Sequence, residues 1–309
     1  MQKVTIKDVA KLAKVSPSTV SRVLSGNPSI SDDTCKRVKN AVKELHYTPN
    51  TTARSLRCEK SKSIGVVFPD ISGEFYATCA SAILKYARMS DYTVLFTESG
   101  HNLKAEKDSI KALLERRIDG IIFIGDNSDI PLIQSIAAQS IPIVTGDRKV
   151  GNIPSVTFNN RETVQEMVDS LYKSGCRKFM YVSETPTGQS NLLNRYSGYT
   201  DALKKYSDTT SVIFLEKSLH GDKLKTARRL FTEKIITSLP DVIITSNDLI
   251  AQGIISAAHE NGINIPNDMQ ITGFDDSLSS AYFIPSVTTV SQNIDELAKR
   301  CFSMLMDLI

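Results

Sequence analysis

The chain has 309 residues, with 37 Lys and Arg against 34 Asp and Glu, four His and five Cys, length enough for two or three domains of about 150 residues or fewer. The net charge of +3 conceals a division: residues 1–62 carry 13 basic and 5 acidic side chains, +8, and the rest carry 24 and 29, −5, which points the head towards a polyanion. An odd number of cysteines without a CxxC pair argues against a disulfide framework, no apolar run nears the ~18 residues of a membrane helix, and Lys3, Lys7 and Asp8 stand where a signal peptide would be apolar. A cytoplasmic protein is therefore expected.

In chain order, residues 5–24 predict two short helices, with Ile6, Val9, Ala10 and Ala13 on one face and Val15, Val20, Val23 and Leu24 on the other. Thr5 suits the first N-cap, and Ser16 with Pro17 supplies an N-cap and first helical position for the second. A third helix opens at Ser31, with Asp32 and Asp33 in its first turn, and runs to about His46, burying Val38, Val42 and Leu45. This is a helix-turn-helix with a supporting helix, whose second helix would bring Ser16, Pro17, Ser18, Thr19 and Arg22 to DNA base edges; an amphipathic bundle with solvated hydroxyls fits the same pattern. After Pro49, Asn50 to Arg57 has a helical pattern but only about two turns, too short to persist alone. Leu56 between Arg54 and Arg57 reads as a minor-groove wedge with basic anchors, or as part of a flexible basic linker.

The stretches T-I-K-D-V-A from Thr5, V-S-P-S-T-V-S-R-V-L from Val15 and E-L-H-Y-T-P-N-T-T-A-R-S-L from Glu44 resemble, in order and spacing, the lactose-repressor (LacI/GalR) family of bacterial transcription regulators. The resemblance implies DNA-contact roles for Ser16, Thr19, Ser21, Arg22, Thr34, Tyr47 and Asn50, with Thr5 beside them, and intercalation at the operator centre for Leu56. Pro17 and Ser18 depart from the base-reading pairs of several members, and Ser25 stands where many have Asn.

Beyond Lys62, β-branched runs at 64–68, 93–96, 120–125 and 141–144, then at 178–182, 211–215, 241–245 and 270–274, alternate with helix-length segments. Such runs predict parallel strands covered on both faces, in two βαβ series. The predicted architecture is a small all-α helix-turn-helix head plus an α/β body of two doubly wound parallel-sheet lobes, similar to periplasmic binding proteins. The boundaries are 1–47 for the head, 48–61 for hinge and linker, and 62–309 for the effector-binding and dimerisation body. Its first lobe takes about 62–158 and 290–309, its second about 161–287.

Open parallel sheets bind ligands beyond the carboxyl ends of their strands. The loops there place Phe75 and Tyr76 at a helix start, where they either stack on a ligand or pack the helix, and Asp147 beside Arg148. In the second lobe, helix capping alone accounts for Asp248 and Asp276. The family pattern moves Asn247 and Asp275 to the ligand side together with Arg195, whose guanidinium could bind vicinal hydroxyls, a carboxylate or a phosphate. His220 stands near the place where many members carry a stacking aromatic. Cys176 replaces the family's usual His and reads as a buried structural residue.

Hydrolase, phosphate-loop, metalloprotease and dinucleotide motifs are missing from the sequence, and His46, His101, His220 and His259 show no metal spacing. The expectation is therefore neither an enzyme nor a metalloprotein and needs no cofactor. It is a homodimeric repressor of a carbohydrate-utilisation operon that binds a palindromic double-stranded operator and responds to a small molecule between the lobes. Sugars, sugar acids, sugar phosphates and nucleobases all suit the fold, and a protein coeffector is a second alternative because the 69–76 loop resembles members of that kind.

Overall fold

A computed structural model describes residues 4–24, 28–47, 60–100, 102–125, 130–186, 190–206, 210–215 and 220–309, with the side chains of His220 and Gly221 excepted. The chain divides into two units, Met1–Ser61 and Lys62–Ile309.

The head contains α1 (Ile6–Ala13), α2 (Pro17–Leu24) and α3 (Asp32–Glu44). Each helix is too short to persist alone, so burial of one apolar stripe holds it in place. Val9, Ala10, Ala13, Val20, Val23, Val38 and Ala41 form that shared core, with Ile6, Val15, Leu24, Val42, Leu45 and Tyr47 packed around it. Thr5 precedes α1 in extended backbone, its N–H and hydroxyl both donating to the Asp8 carboxylate. Those two bonds hold the Asp8 carboxyl below its ordinary range. Pro17 takes the first position of α2, where its missing N–H costs nothing, and Ser16 Oγ accepts the Thr19 N–H at 3.1 Å.

The body has two parallel sheets. The first runs β1 (Ser63–Phe68), β2 (Thr93–Glu98), β3 (Gly120–Ile124), β4 (Ile143–Gly146) and β5 (Ser155–Val156), with α4 (Glu74–Met89), α5 (Leu103–Glu115) and α6 (Ile130–Ala137) as crossovers. After α7 (Asn160–Lys173) come β6 (Phe179–Glu184), α8 (Asn191–Leu203), β7 (Thr210–Leu215), α9 (His220–Leu230), β8 (Val242–Thr245), α10 (Asp248–Glu260), β9 (Gln270–Asp275), α11 (Leu278–Tyr282) and β10 (Thr288–Ser291). The spatial orders are β2-β1-β3-β4-β5 and β7-β6-β8-β9-β10. Both sheets therefore reverse direction beside their first strand, and both place loops at a topological switch point.

One lobe boundary differs from the sequence reading: β5 falls inside the expected first lobe, but β10 carries the second lobe past its expected end at 287. The segment 156–161 begins in β5, and 287–293 contains β10, each an edge strand of its sheet. The second lobe therefore runs to Ser291, because an edge strand such as Thr-Thr-Val-Ser needs no continuous apolar run. The last helix, α12 (Ile294–Leu308), lies against the first lobe, with Leu297, Ala298, Cys301, Phe302 and Leu305 in the same core as Ile64, Val66, Ile83 and Val144. Cys176 is buried in the second-lobe core beside Phe179 and Tyr199. None of the cysteines among the described residues forms a disulfide, and no helix among those residues is long and apolar enough to cross a membrane.

Candidate functional site

On the head, Ser16 Oγ lies 2.7 Å from Ser18 Oγ and 2.9 Å from Thr19 Oγ1, a hydroxyl cluster at the start of α2. Ser16, Pro17, Ser18 and Arg22 are exposed, and Thr19 and Ser21 are half-buried on the flank. Ser18 and Arg22, four residues apart on one helix, share a face. Thr5 is exposed at the foot of α1. Thr34 accepts hydrogen bonds from Ser31 Oγ and Arg37 at the start of α3. Tyr47 is half-buried against the head's core, so part of its ring serves packing. Asn50, Arg54, Leu56 and Arg57 lie outside the described residues.

In the body, the carboxyl ends of both sheets enclose a cavity of about 340 Å³. Phe75, Tyr76 and Asp147 reach it from the first lobe, and Arg195, Asn247 and Asp275 from the second. Six residues spread over two hundred positions thus meet because each follows a strand or stands on the helix beside one. The His220 side chain lies outside the described residues. Phe75 and Tyr76 meet edge to face, with ring centroids 5.3 Å apart, and both pack partly on the first-lobe core. Packing and cleft lining are therefore shared by the same two rings.

Arg195 organises the second lobe's side. It is only 5% exposed, its Nε donates to Asn160 Oδ1 at 2.7 Å and its Nη1 to the Ser246 carbonyl at 2.5 Å. The guanidinium lies 3.7 Å from the Phe274 ring centroid, and Nη1 is 3.7 Å from Asp275 Oδ1. Asp275 has φ +122°, a region that non-glycine residues rarely occupy. Asp248 braces this turn, since its Oδ2 accepts the Ser277 N–H at 2.8 Å and its Oδ1 the Thr289 hydroxyl. Gly273 is required there because a Cβ would strike the Asp248 carboxylate.

Capping falls differently from the sequence reading. Asn247, not Asp248, is the N-cap of α10 and accepts the Ile250 N–H through Oδ1 at 3.0 Å; its amide NH₂ remains a donor towards the cleft. Ser277, not Asp276, caps α11. Sequence reasoning also missed Glu74, Glu184, Asn191, Lys223 and Gln252 as lining residues. Glu184 ends β6, so the strand-end rule could have found it, whereas Asn191, Lys223 and Gln252 stand on helices whose rotation the sequence does not encode.

A fifth of the Asp275 side chain stays accessible, yet burial raises its pKa to about 7, with Arg195 pulling it down and Asp248 pushing it up. The folded carboxyl keeps its proton at pH values where an unfolded aspartate, near 3.8, has lost it. Stability from this group is thus present at low pH and declines as pH rises from about 4 to about 7. Thermal unfolding followed across that window is expected to show this decline, and Asp275→Asn is expected to flatten it; an unchanged slope would remove Asp275 as its source.

Comparison with known proteins places these features together. Residues 5–50 match the model for bacterial regulatory proteins of the lacI family, and residues 168–309 match that for the periplasmic binding protein-like domain. The catabolite control protein A of Priestia megaterium is 32% identical over 98% of this chain and 93% of its own length. The ribose operon repressor of Halalkalibacterium halodurans is 34% identical over 95% and 86%. Among solved structures, the lac repressor dimer bound to operator and the anti-inducer ONPF superposes with a TM-score of 0.86 at 25% identity, covering 99% of this chain and 93% of that one. A periplasmic binding protein/LacI transcriptional regulator from Alkaliphilus metalliredigens complexed with D-xylulofuranose gives a TM-score of 0.71 at 26% identity, over 80% and 90%. The chain belongs to the lacI family of bacterial transcription regulators.

Proposed function

We propose that the protein is a repressor of a carbohydrate-utilisation operon whose affinity for its operator changes when a sugar or sugar derivative binds between the lobes. The observation that carries this reading is the presence, on one chain, of a lacI-family head and a two-lobed cleft whose polar lining comes from both sheets at their carboxyl ends. Relatives named as a ribose operon repressor and a catabolite control protein support it, as does the sugar in the Alkaliphilus regulator. Arg195, Asn247, Asp275 and Asp147 supply hydrogen-bonding groups for hydroxyls, Phe75 and Tyr76 an apolar wall, and His220 joins them in this proposal.

A homodimer would read a palindromic operator, each protomer presenting Ser16, Pro17, Ser18, Thr19, Ser21 and Arg22 in a major groove. Thr5, Thr34, Tyr47 and Asn50 would hold the phosphates, and Arg54, Leu56 and Arg57 would engage the minor groove. Leu278, Tyr282 and Ile284 are 72, 79 and 85% exposed on one short segment. Large apolar side chains gathered in this way favour an interface with a second copy, which sedimentation equilibrium of the full chain reads directly. Effector and operator then act on each other through a coupling of about 1–3 kcal/mol.

The test is operator binding by the full chain, measured with and without sugars in a gel-shift or fluorescence titration. Arg22→Ala is expected to cost about 1–3 kcal/mol on the operator and to relax base discrimination, as loss of a guanine contact does. An equal loss on operator and random DNA would make Arg22 a phosphate contact. Operator affinity unmoved by any sugar but raised by a partner protein would favour the coeffector alternative.

A further inference from the structure

The charge of the cleft narrows the ligand beyond the class of sugars, an inference that rests on the effector role just proposed. Among the described lining residues, Asp70, Glu74, Asp147, Glu184, Asp248 and Asp275 bring six carboxyl groups against two cations, Arg195 and Lys223. Lys223 Nζ lies 2.7 Å from Glu184 Oε2, and Arg195 is engaged by Asn160, Ser246, Phe274 and Asp275. A carboxylate or phosphate entering this space would meet three times as many carboxyl groups as cations among the described lining residues, and like charges repel it.

Two carboxylates are placed to receive positive charge instead. Glu74, at the start of α4, uses Oε2 to accept the Ser279 hydroxyl at 2.7 Å and the Ser279 N–H at 3.4 Å, which leaves Oε1 as an acceptor. Asp275 uses Oδ1 for the Gln292 amide at 2.6 Å and for Arg195, which leaves Oδ2. Glu74 belongs to the first lobe and Asp275 to the second, so a group that binds both draws the lobes together. Phe75 and Tyr76, next to Glu74, add two ring faces of the kind that attract ammonium groups. Carboxylates beside aromatic rings, in a cavity also lined by Gln252, Asn191 and Asn247, match a polar ligand with hydroxyls at one end and a positive charge at the other.

We propose that the cleft takes a cationic, hydroxyl-bearing ligand, an amino sugar being the simplest member, and excludes sugar acids and sugar phosphates. The ligand's ammonium sits between Glu74 and Asp275, and its hydroxyls face the amide side chains. The experiment is calorimetry and thermal shift on the full chain at pH 7.5, with matched sets built on glucose, galactose, mannose and ribose. Each set contains the neutral sugar, an amino-deoxy derivative, the corresponding acid and the phosphate ester. In the framework that binds, the amino derivative is expected to bind about tenfold tighter than the neutral sugar, and the acid and phosphate to give no shift. Glu74→Gln and Asp275→Asn are each expected to shrink that difference. An acid or phosphate that binds better than its neutral partner, or an amino derivative with no advantage in the binding framework, overturns the proposal. The ligand-free protein supplies an arm that needs no sugar. Glu74→Gln keeps an acceptor for Ser279 while removing one charge, so it is expected to raise Tm by about 2 °C, and a lower Tm overturns the proposal independently. An amino sugar that binds as described without moving operator affinity would count against the effector reading alone.

Discussion

Arg195→Ala is expected to lower the melting temperature of the body by on the order of 10 °C and to abolish ligand binding in the cleft. Arg195 is only 5% exposed, and its guanidinium ties α8 to α7 through Asn160 and to the end of β8 through the Ser246 carbonyl, while lying on the Phe274 ring. Truncation strands these buried acceptors and leaves the Asp275 carboxylate without its nearest cation, and breaking a buried pair from one side costs about 3–5 kcal/mol. The Asp275 carboxyl, already near 7 with Arg195 pulling it down, would rise further, so the variant should go on losing stability above pH 7, where the wild-type loss levels off. Arg195→Lys is expected to recover little, because a single ammonium cannot serve Asn160, Ser246 and Asp275 in their three directions or cover the Phe274 ring as a planar group does. Differential scanning calorimetry decides the matter: a Tm within about 2 °C of wild type would mean that water replaces the guanidinium without loss, and that Arg195 serves the ligand and not the fold.

The head was legible in the sequence almost to the residue, because short helices must announce their buried stripe. Val9, Ala10, Ala13, Val20, Val23 and Val38 of the expected stripes lie in the observed core, whereas in α3 Ala41 joins it and Val42 and Leu45 are only half-buried, and Ser16-Pro17 fixed the start of α2. The other eight strands were legible for a related reason: the six interior ones, covered on both faces, have little room for polar residues, and the edge strands β2 and β7 keep the apolar runs Val94-Leu95-Phe96 and Val212-Ile213-Phe214. The strands that escaped, β5 and β10, lie at sheet edges, where Ser155, Thr288 and Ser291 cost nothing. In the cleft, residues that follow strands could be found by rule. Lys223, Asn191 and Gln252 could not, because a helix brings a side chain to a cavity only through its tertiary rotation. Adjacent Asn247 and Asp248 are both good caps by residue type, and the backbone decides between them: Asn247 is extended at φ −159° and ψ 162°, which gives it the cap and frees Asp248 to brace the turn after β9.

Val38→Asp is expected to eliminate operator binding while leaving the body's unfolding transition and its response to ligand unchanged. Val9, Val20 and Val38 are the fully buried centre of the head, and the residues packed around them all belong to the head. A unit of this size buries only about 60% of the surface of its unfolded chain, and at 0.05–0.15 kcal/mol per residue it is stable by only about 3–9 kcal/mol. An aspartate at position 38 removes an apolar side chain from the middle of that core and puts in a carboxylate with no cation inside the cluster. The cost of several kcal/mol takes most or all of the stability the unit has. Val38→Ala, which leaves a small cavity worth about 2 kcal/mol, is expected to retain operator binding at low temperature and lose it on mild warming. Calorimetry paired with a DNA titration separates the alternatives. If the body's transition moved together with the head's, the two units would fold as one cooperative block. If it stays fixed while DNA binding disappears, the +7 of residues 1–61 and the −4 of residues 62–309 belong to separately folding units, one facing the phosphates and the other facing the ligand.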